Sequence, residues 1–186
     1  MDIVFEIKTF VEEECKKPTS KYGYEPFHEH FVPVVNHALQ LAKNFNVDSE
    51  LIEISARLHD IWSIIHGREN HHITWALIAG EKLSELGYPT EKIELVKKCI
   101  FNHRWSIGHE RGSIEEKILA EVDVMANFDN ISWIFKAAFV YEKLDQKEAK
   151  QSAKKKLQNK WNQLEFSESK IIIQPKYEAA MLLLWE

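Results

Sequence analysis

The sequence predicts an all-α fold, a single domain of about seven or eight helices, and three observations predict it. Apolar residues recur at spacings of three and four along almost the whole chain. No stretch alternates with period two for long enough to build a sheet. The 186 residues, divided by roughly 150 per domain, amount to about one domain, residues 1–186, able to bury a core of its own. Hydrophobic residues at 45% and charged residues at 28% are globular proportions, and Gly and Pro together number only 11, too few for a linker or a disordered tail.

Ile3, Val4, Ile7, Phe10 and Val11 place an amphipathic helix over residues 2–15. Residues 18–26, bounded by Pro18 and Pro26, make a turn-rich connection. A second helix over about 25–45 turns Val34, Val35, Ala38, Leu41, Ala42 and Phe45 inward, with Pro33 as a kink or a start. Asp48 or Ser49 caps a third, with Glu50 and Glu53 suited to its positive end; it carries Leu51, Ile52, Ser55, Leu58, His59 and Trp62. Gly67 interrupts the pattern, and a fourth helix over about 71–86 ends at Gly87. Thr90 begins a fifth that reaches about His103, followed by a polar loop over 104–112. Ser113 and Glu116 have capping-box spacing and open a helix whose apolar face is Ile114, Ile118, Leu119, Val122, Met125 and Ala126. A long helix covers about 131–162, and its lysine-rich part, interrupted by Asp145 and Glu148, reads as a solvated face. Residues 171–173 read as a short extended piece before Pro175 opens a last helix. The chemistry-bearing core is about 25–130, with the helices of 131–186 packed on it.

A net charge of −5 argues against a general nucleic-acid binder but leaves room for a small anionic substrate held by local cations. Cys15 and Cys99 make neither a disulfide framework nor a zinc knuckle, which suits two apolar fillers in a reduced, cytoplasmic protein. The start lacks a basic region before a long apolar core, so it does not read as a signal peptide. The seven uncharged residues 179–185 are far short of the roughly 20 that span a bilayer; their leucines pack onto the domain or onto a second copy in a homodimer.

Eight of the nine histidines lie from His28 to His103. The candidate ligands are His28 or His30, the pair His59-Asp60, His71 or His72, His103 and Asp123, each on a different predicted helix or helix end. A bundle core can gather such side chains into one site, and these ligand types suit Zn, Fe, Mn and Mg. His59 falls on an apolar helix face, Asp60 at its edge, and Asp123 among Leu119, Val122 and Ala126. An acid drawn toward a core is costly unless a cation or donors meet it. A shared cation accounts for both acids at once; the alternatives are local pairs of Asp60 with Arg57 or Arg68 and of Asp123 with Arg104 or Arg111. Helical phase does not separate His28 from His30, because both fall at edges of the apolar face.

The stretch of His30 with Val34, then Ala38, Leu41 and Ala42, then Ser55 through His59-Asp60-Ile61, resembles the HD-domain superfamily, all-α metal-dependent phosphohydrolases. The resemblance covers about residues 25–130. It implies metal ligands at His30, His59, Asp60 and Asp123, with Asp60 catalytic. Some members add two histidines and bind two metals, which would engage His71 or His72, and His103. Many relatives read His-Asp-Ile-Gly-Lys where this chain has Trp62 and Ser63 after Ile61. Arg104 and Arg111, flanking the 104–112 loop, become candidate phosphate contacts, and Trp105 either stacks on a base or covers the core. The implied activity is hydrolysis of a small phosphate ester, a nucleotide among the candidates, by water activated on one or two divalent ions (Mn, Mg, Fe, Co, Ni or Zn). A di-iron oxygenase and a non-catalytic nucleotide- or partner-binding scaffold are the competing functions.

Overall fold

The computed structural model describes residues 2–67, 75–105 and 110–184, the side chain of Trp75 excepted. Among these residues there are ten α-helices, two π-helical turns and no strand, an all-α architecture. Internal packing divides the chain into two compact units, residues 1–120 and 121–186.

In the first unit, α1 (Ile3–Lys16) begins where the Asp2 carboxylate accepts from the N–H groups of Val4 and Phe5 at 3.0 and 3.2 Å. It stops at Lys17, whose extended backbone is what Pro18 demands of the residue before it. The chain turns helical again at residue 25, but Phe27–Phe31 form a π-helical turn, with the Val32 N–H reaching back to the Phe27 carbonyl, before α2 (Val32–Ala42) continues. Pro33 supplies the reason: its ring has no N–H for the Glu29 carbonyl and would crowd it, so the preceding turn widens.

Asp48 caps α3 (Ser49–Leu58), accepting from Glu50 and Leu51 at 3.1 and 3.2 Å. The sequence pattern carries this helix on through Trp62; the structure ends it at Leu58. Asp60 leaves helical backbone at φ −116°, ψ 13°, and α4 (Ile61–His66) starts afresh, closed by Gly67 at φ +83°, where glycine is favoured. In an unbroken helix neighbouring side chains stand about 100° apart; the break releases His59 and Asp60 from that constraint. Next come α5 (Trp75–Glu85) and α6 (Thr90–Asn102). In this unit α1 packs on α3 and α4, α2 on α3, α3 on α6, and α5 on α4 and α6. Ile7, Leu41, Ile52, Leu58, Ile61, Leu83 and Ile100 are fully buried, each contributing about 1.5–3 kcal/mol by leaving water. Cys15 and Cys99 are buried free thiols, pushed up to about 12 chiefly by burial.

Helix α7 (Ile114–Ala126) passes from the first unit into the second. Its cap is half of the expected box. The Glu116 N–H donates to Ser113 Oγ at 3.2 Å, but the Glu116 carboxylate accepts from Gly112 N–H and Asn102 Nδ2, at 3.1 and 2.7 Å, instead of from Ser113.

The second unit holds α8 (Ile131–Lys136), which passes into a π-helical turn at Ala137–Tyr141, then α9 (Gln146–Gln163) and α10 (Ser167–Leu183). The single helix expected over 131–162 is therefore broken. Lys143 adopts φ +54°, and a reciprocal capping box between Asp145 and Glu148 restarts the chain as α9. The extended piece expected at 171–173 is also absent, and Pro175 lies inside α10 rather than at its start. Burial of Ile173, fully inaccessible to solvent, outweighs the weak strand preference of three isoleucines. Helix α9 packs on α8 and α10. Leu182 and Leu183 are exposed, whereas Leu184 is buried. No described helix is long and apolar enough to cross a membrane.

Candidate metal centre

Three elements of the first unit bring three ligand-type side chains to one point. His30 comes from the π-helical turn, His59 from the C-terminal end of α3, and Asp60 from the break before α4. One ligand atom from each lies within 4.8 Å of the other two. His30 Nε2 is 3.0 Å from His59 Nε2 and 3.6 Å from Asp60 Oδ2, and His59 Nε2 is 3.8 Å from that same oxygen. His59 is fully buried, while His30 and Asp60 each keep 26% of their side-chain surface.

The proton positions follow from the partners. A carbonyl oxygen only accepts, so His59 Nδ1, 2.8 Å from the Ala56 carbonyl, carries the proton. In the neutral ring the lone pair is then on Nε2, aimed at His30. Two imidazole nitrogens at 3.0 Å need a proton or a cation between them. Carbonyl-anchored Nδ1 and inward Nε2 is also the arrangement by which metal-ligating histidines are oriented.

His103 repeats it. It caps the C-terminal end of α6, is 1% exposed, and donates from Nδ1 to the Ile100 carbonyl at 2.5 Å. Its Nε2 is 3.8 Å from Asp60, but from Oδ1 rather than Oδ2. The Asp60 carboxylate thus faces His30 and His59 with one oxygen and His103 with the other. Burial works against its charge, yet the imidazoles of His59, His30 and His103, when protonated, outweigh it and hold the carboxyl well below its ordinary value. Two imidazole nitrogens and a carboxylate make a donor set that could hold a divalent metal, and His103 extends it.

The other expected residues fall elsewhere. His28 is exposed, its ring edge-on to Tyr24 and Phe27 at 4.9 and 5.2 Å, whereas His30 lies with His59 and Asp60. His71 and His72 lie outside the described residues, as does Arg68. Asp123 lies on the part of α7 that belongs to the second unit, where its carboxylate is 4.0 Å from Lys160 Nζ and its carbonyl accepts from Asn127 at 2.7 Å. Arg57 pairs with Glu53. Trp62 packs its ring 4.0 Å from that of His66. Arg104 is half-buried beside His103 in sequence. Arg111 donates from Nε to the Asn102 carbonyl at 3.1 Å and from Nη2 to the His103 carbonyl at 3.5 Å, with its Cζ 4.1 Å from the Trp105 ring centre. Trp105 bonds the Ala120 carbonyl at 3.3 Å, which suits the covering role rather than the stacking one.

Sequence reasoning missed the two carbonyls that orient the rings. The signal was available for His103, which stands at the end of its predicted helix, and hidden for His59, whose helix the pattern carried on through Trp62; each ring reaches three residues back to a carbonyl at a helix end.

The family model described as HD domain matches residues 27–133. In fold the chain is similar to the crystal structure of an HD-superfamily hydrolase from Bacillus thuringiensis, with a TM-score of 0.76 at 16% identity over 98% of this chain and 93% of that one. At that identity the likeness is one of fold. No curated protein matches the chain.

Proposed function

The chain belongs to the HD domain family, and on that premise we propose that it is a metal-dependent phosphohydrolase acting on a small phosphate ester, a nucleotide among the candidates. One observation carries the reading: His30, His59 and Asp60 offer ligand atoms within 4.8 Å of one another. His30 and His59 would hold a divalent ion through Nε2 and Asp60 through its carboxylate. The family pattern would add Asp123 as a fourth ligand. When bound, such an ion lowers the pKa of a water ligand from 15.7 toward about 7 and polarises a phosphoryl oxygen.

Asp60 presents opposite oxygens to His103 and to the His30–His59 pair, which favours its bridging two ions, with His71 or His72 completing the second set. The fixed Nδ1 protons of His59 and His103 keep both Nε2 lone pairs turned inward. Arg104, half-buried and next to His103 in sequence, is the cation we assign to the phosphate.

The test is metal analysis of the purified chain, then phosphate-ester hydrolysis after chelation and reloading with Mn, Mg, Co, Ni, Fe or Zn. The expected result is turnover that chelation abolishes, that one of these ions restores, and that Asp60→Ala removes without unfolding. Two iron equivalents with visible absorption and no ester hydrolysis would replace this reading with oxygen chemistry. No metal and no turnover, with all ligands intact, would leave a non-catalytic scaffold.

A further inference from the structure

We propose that Arg111 is a positioning residue for His103: its guanidinium closes the C-terminal end of α6 and so holds the His103 imidazole on Asp60. The proposal rests on the reading of this cluster as a metal centre.

The last carbonyls of a helix find no N–H within it and need donors from outside. At the end of α6 the donors can be named. The Ile100 carbonyl takes the Nδ1–H of His103 at 2.5 Å. The carbonyls of Asn102 and His103 take Nε and Nη2 of Arg111 at 3.1 and 3.5 Å. A cation here also lies at the negative end of the helix dipole.

The guanidinium is itself held. Its Cζ is 4.1 Å from the centre of the Trp105 ring, and the Trp105 indole N–H is tied to the Ala120 carbonyl at 3.3 Å. One residue further on, the Gly112 N–H bonds Glu116 Oε2 at 3.1 Å, and the same oxygen takes Asn102 Nδ2 at 2.7 Å. The two ends of the 104–112 loop are therefore joined twice, through Arg111 and through Glu116. With its backbone fixed and Nδ1 committed, His103 has one direction left for Nε2, the 3.8 Å approach to Asp60 Oδ1. Lysine cannot replace Arg111, because an ammonium neither forks across two carbonyls nor stacks on an indole.

The test uses the full chain, first metal-free and 15N-labelled, then titrated with Mn2+. In the unmodified protein the His103 ring should be protonated at Nδ1, read from its long-range proton–nitrogen correlations and identified by their loss in His103→Gln. Arg111→Ala and Arg111→Lys should both give mixed tautomers at His103. Both should weaken Mn2+ binding about 10- to 100-fold, the range for a partner that orients a metal ligand. Added guanidinium ion should reverse both effects in Arg111→Ala, and Arg111→Lys, which keeps the charge, carries the test should the alanine variant not fold. In the His103→Gln background Arg111→Lys should move Mn2+ affinity by less than about twofold.

Equal weakening with and without His103, or an unchanged tautomer and affinity in both variants, would overturn the proposal. Loss of affinity for inorganic phosphate with His103 undisturbed would overturn it too, by making Arg111 a substrate contact. Should the unmodified protein bind none of Mn2+, Mg2+, Co2+, Ni2+, Fe2+ or Zn2+, the metal reading fails, and the tautomer comparison still decides whether Arg111 positions the ring.

Discussion

The ends of α3 and α6 are built alike and braced differently. Each stops at a buried histidine whose Nδ1 bonds a carbonyl three residues back and whose Nε2 comes within 3.8 Å of an Asp60 oxygen. At α3 the next residue is Asp60 itself, so chain connectivity sets the pair. At α6 the chain departs into the 104–112 loop, and a cation eight residues on holds the helix end. The first site half is thus encoded in two adjacent letters, whereas the second needs Arg111, Trp105 and Glu116 to agree.

The strongest way to break this comparison is Asp60→Ala, which removes the acid both ends share. Metal uptake measured by elemental analysis should fall by more than the roughly 10–100-fold expected of a supporting partner. Next come the fully buried residues behind each histidine. Leu58→Ala and Ile100→Ala should each cost about 2–5 kcal/mol in chemical denaturation, because the helix ends rest on equally buried cores. A smaller effect separates the two ends. Glu116→Ala should cost about 0.5–1.5 kcal/mol by removing the acceptor of the Asn102 amide and Gly112 N–H, and should disturb the ring signals of His103 but not those of His59.

The smallest effect is a contrast between acids. Glu121, 1% exposed, has no imidazole beside it; burial outweighs the donors of Glu165 and Phe166 and raises its pKa above the ordinary 4.5. A carboxyl with a raised folded pKa adds stability that is complete below the unfolded value and is lost as pH rises through the folded one. Unfolding free energy should therefore decline as pH rises from 4.5 in the unmodified protein and stay flatter in Glu121→Gln, measured by denaturant titration across that range.

What could be read from the letters follows the range of the interactions. Caps within four residues were legible: Asp48 on α3 and the Ser113 half of the α7 cap. So was the His59-Asp60 pair, because adjacency needs no tertiary knowledge. The same local reading failed where a distant group competed. Glu116 left Ser113 for Asn102 and Gly112, and buried Ile173 kept Pro175 inside a helix. The break at 142–145 turned on a left-handed backbone at Lys143, and its local sign, the capping-box spacing of Asp145 and Glu148, was read as charges on a solvated face. His30 could not be told from His28 because the sequence was read at α-helical pitch, and this stretch does not have that pitch.

That wide turn at Phe27–Phe31 makes the site sensitive to insertion and deletion rather than to substitution alone. A π-turn is in effect one residue more than an α-helix of the same span requires. Deleting Glu29 would give the helix back its ordinary count, leave α2 and its core face in place, and rotate everything upstream by about 100°. His30, downstream of the deletion, would keep its place ahead of Pro33, while His28 moved into the place Glu29 now fills. A chain one letter shorter would keep its ligand histidine and turn Phe27 and the residues before it away from the faces they now present.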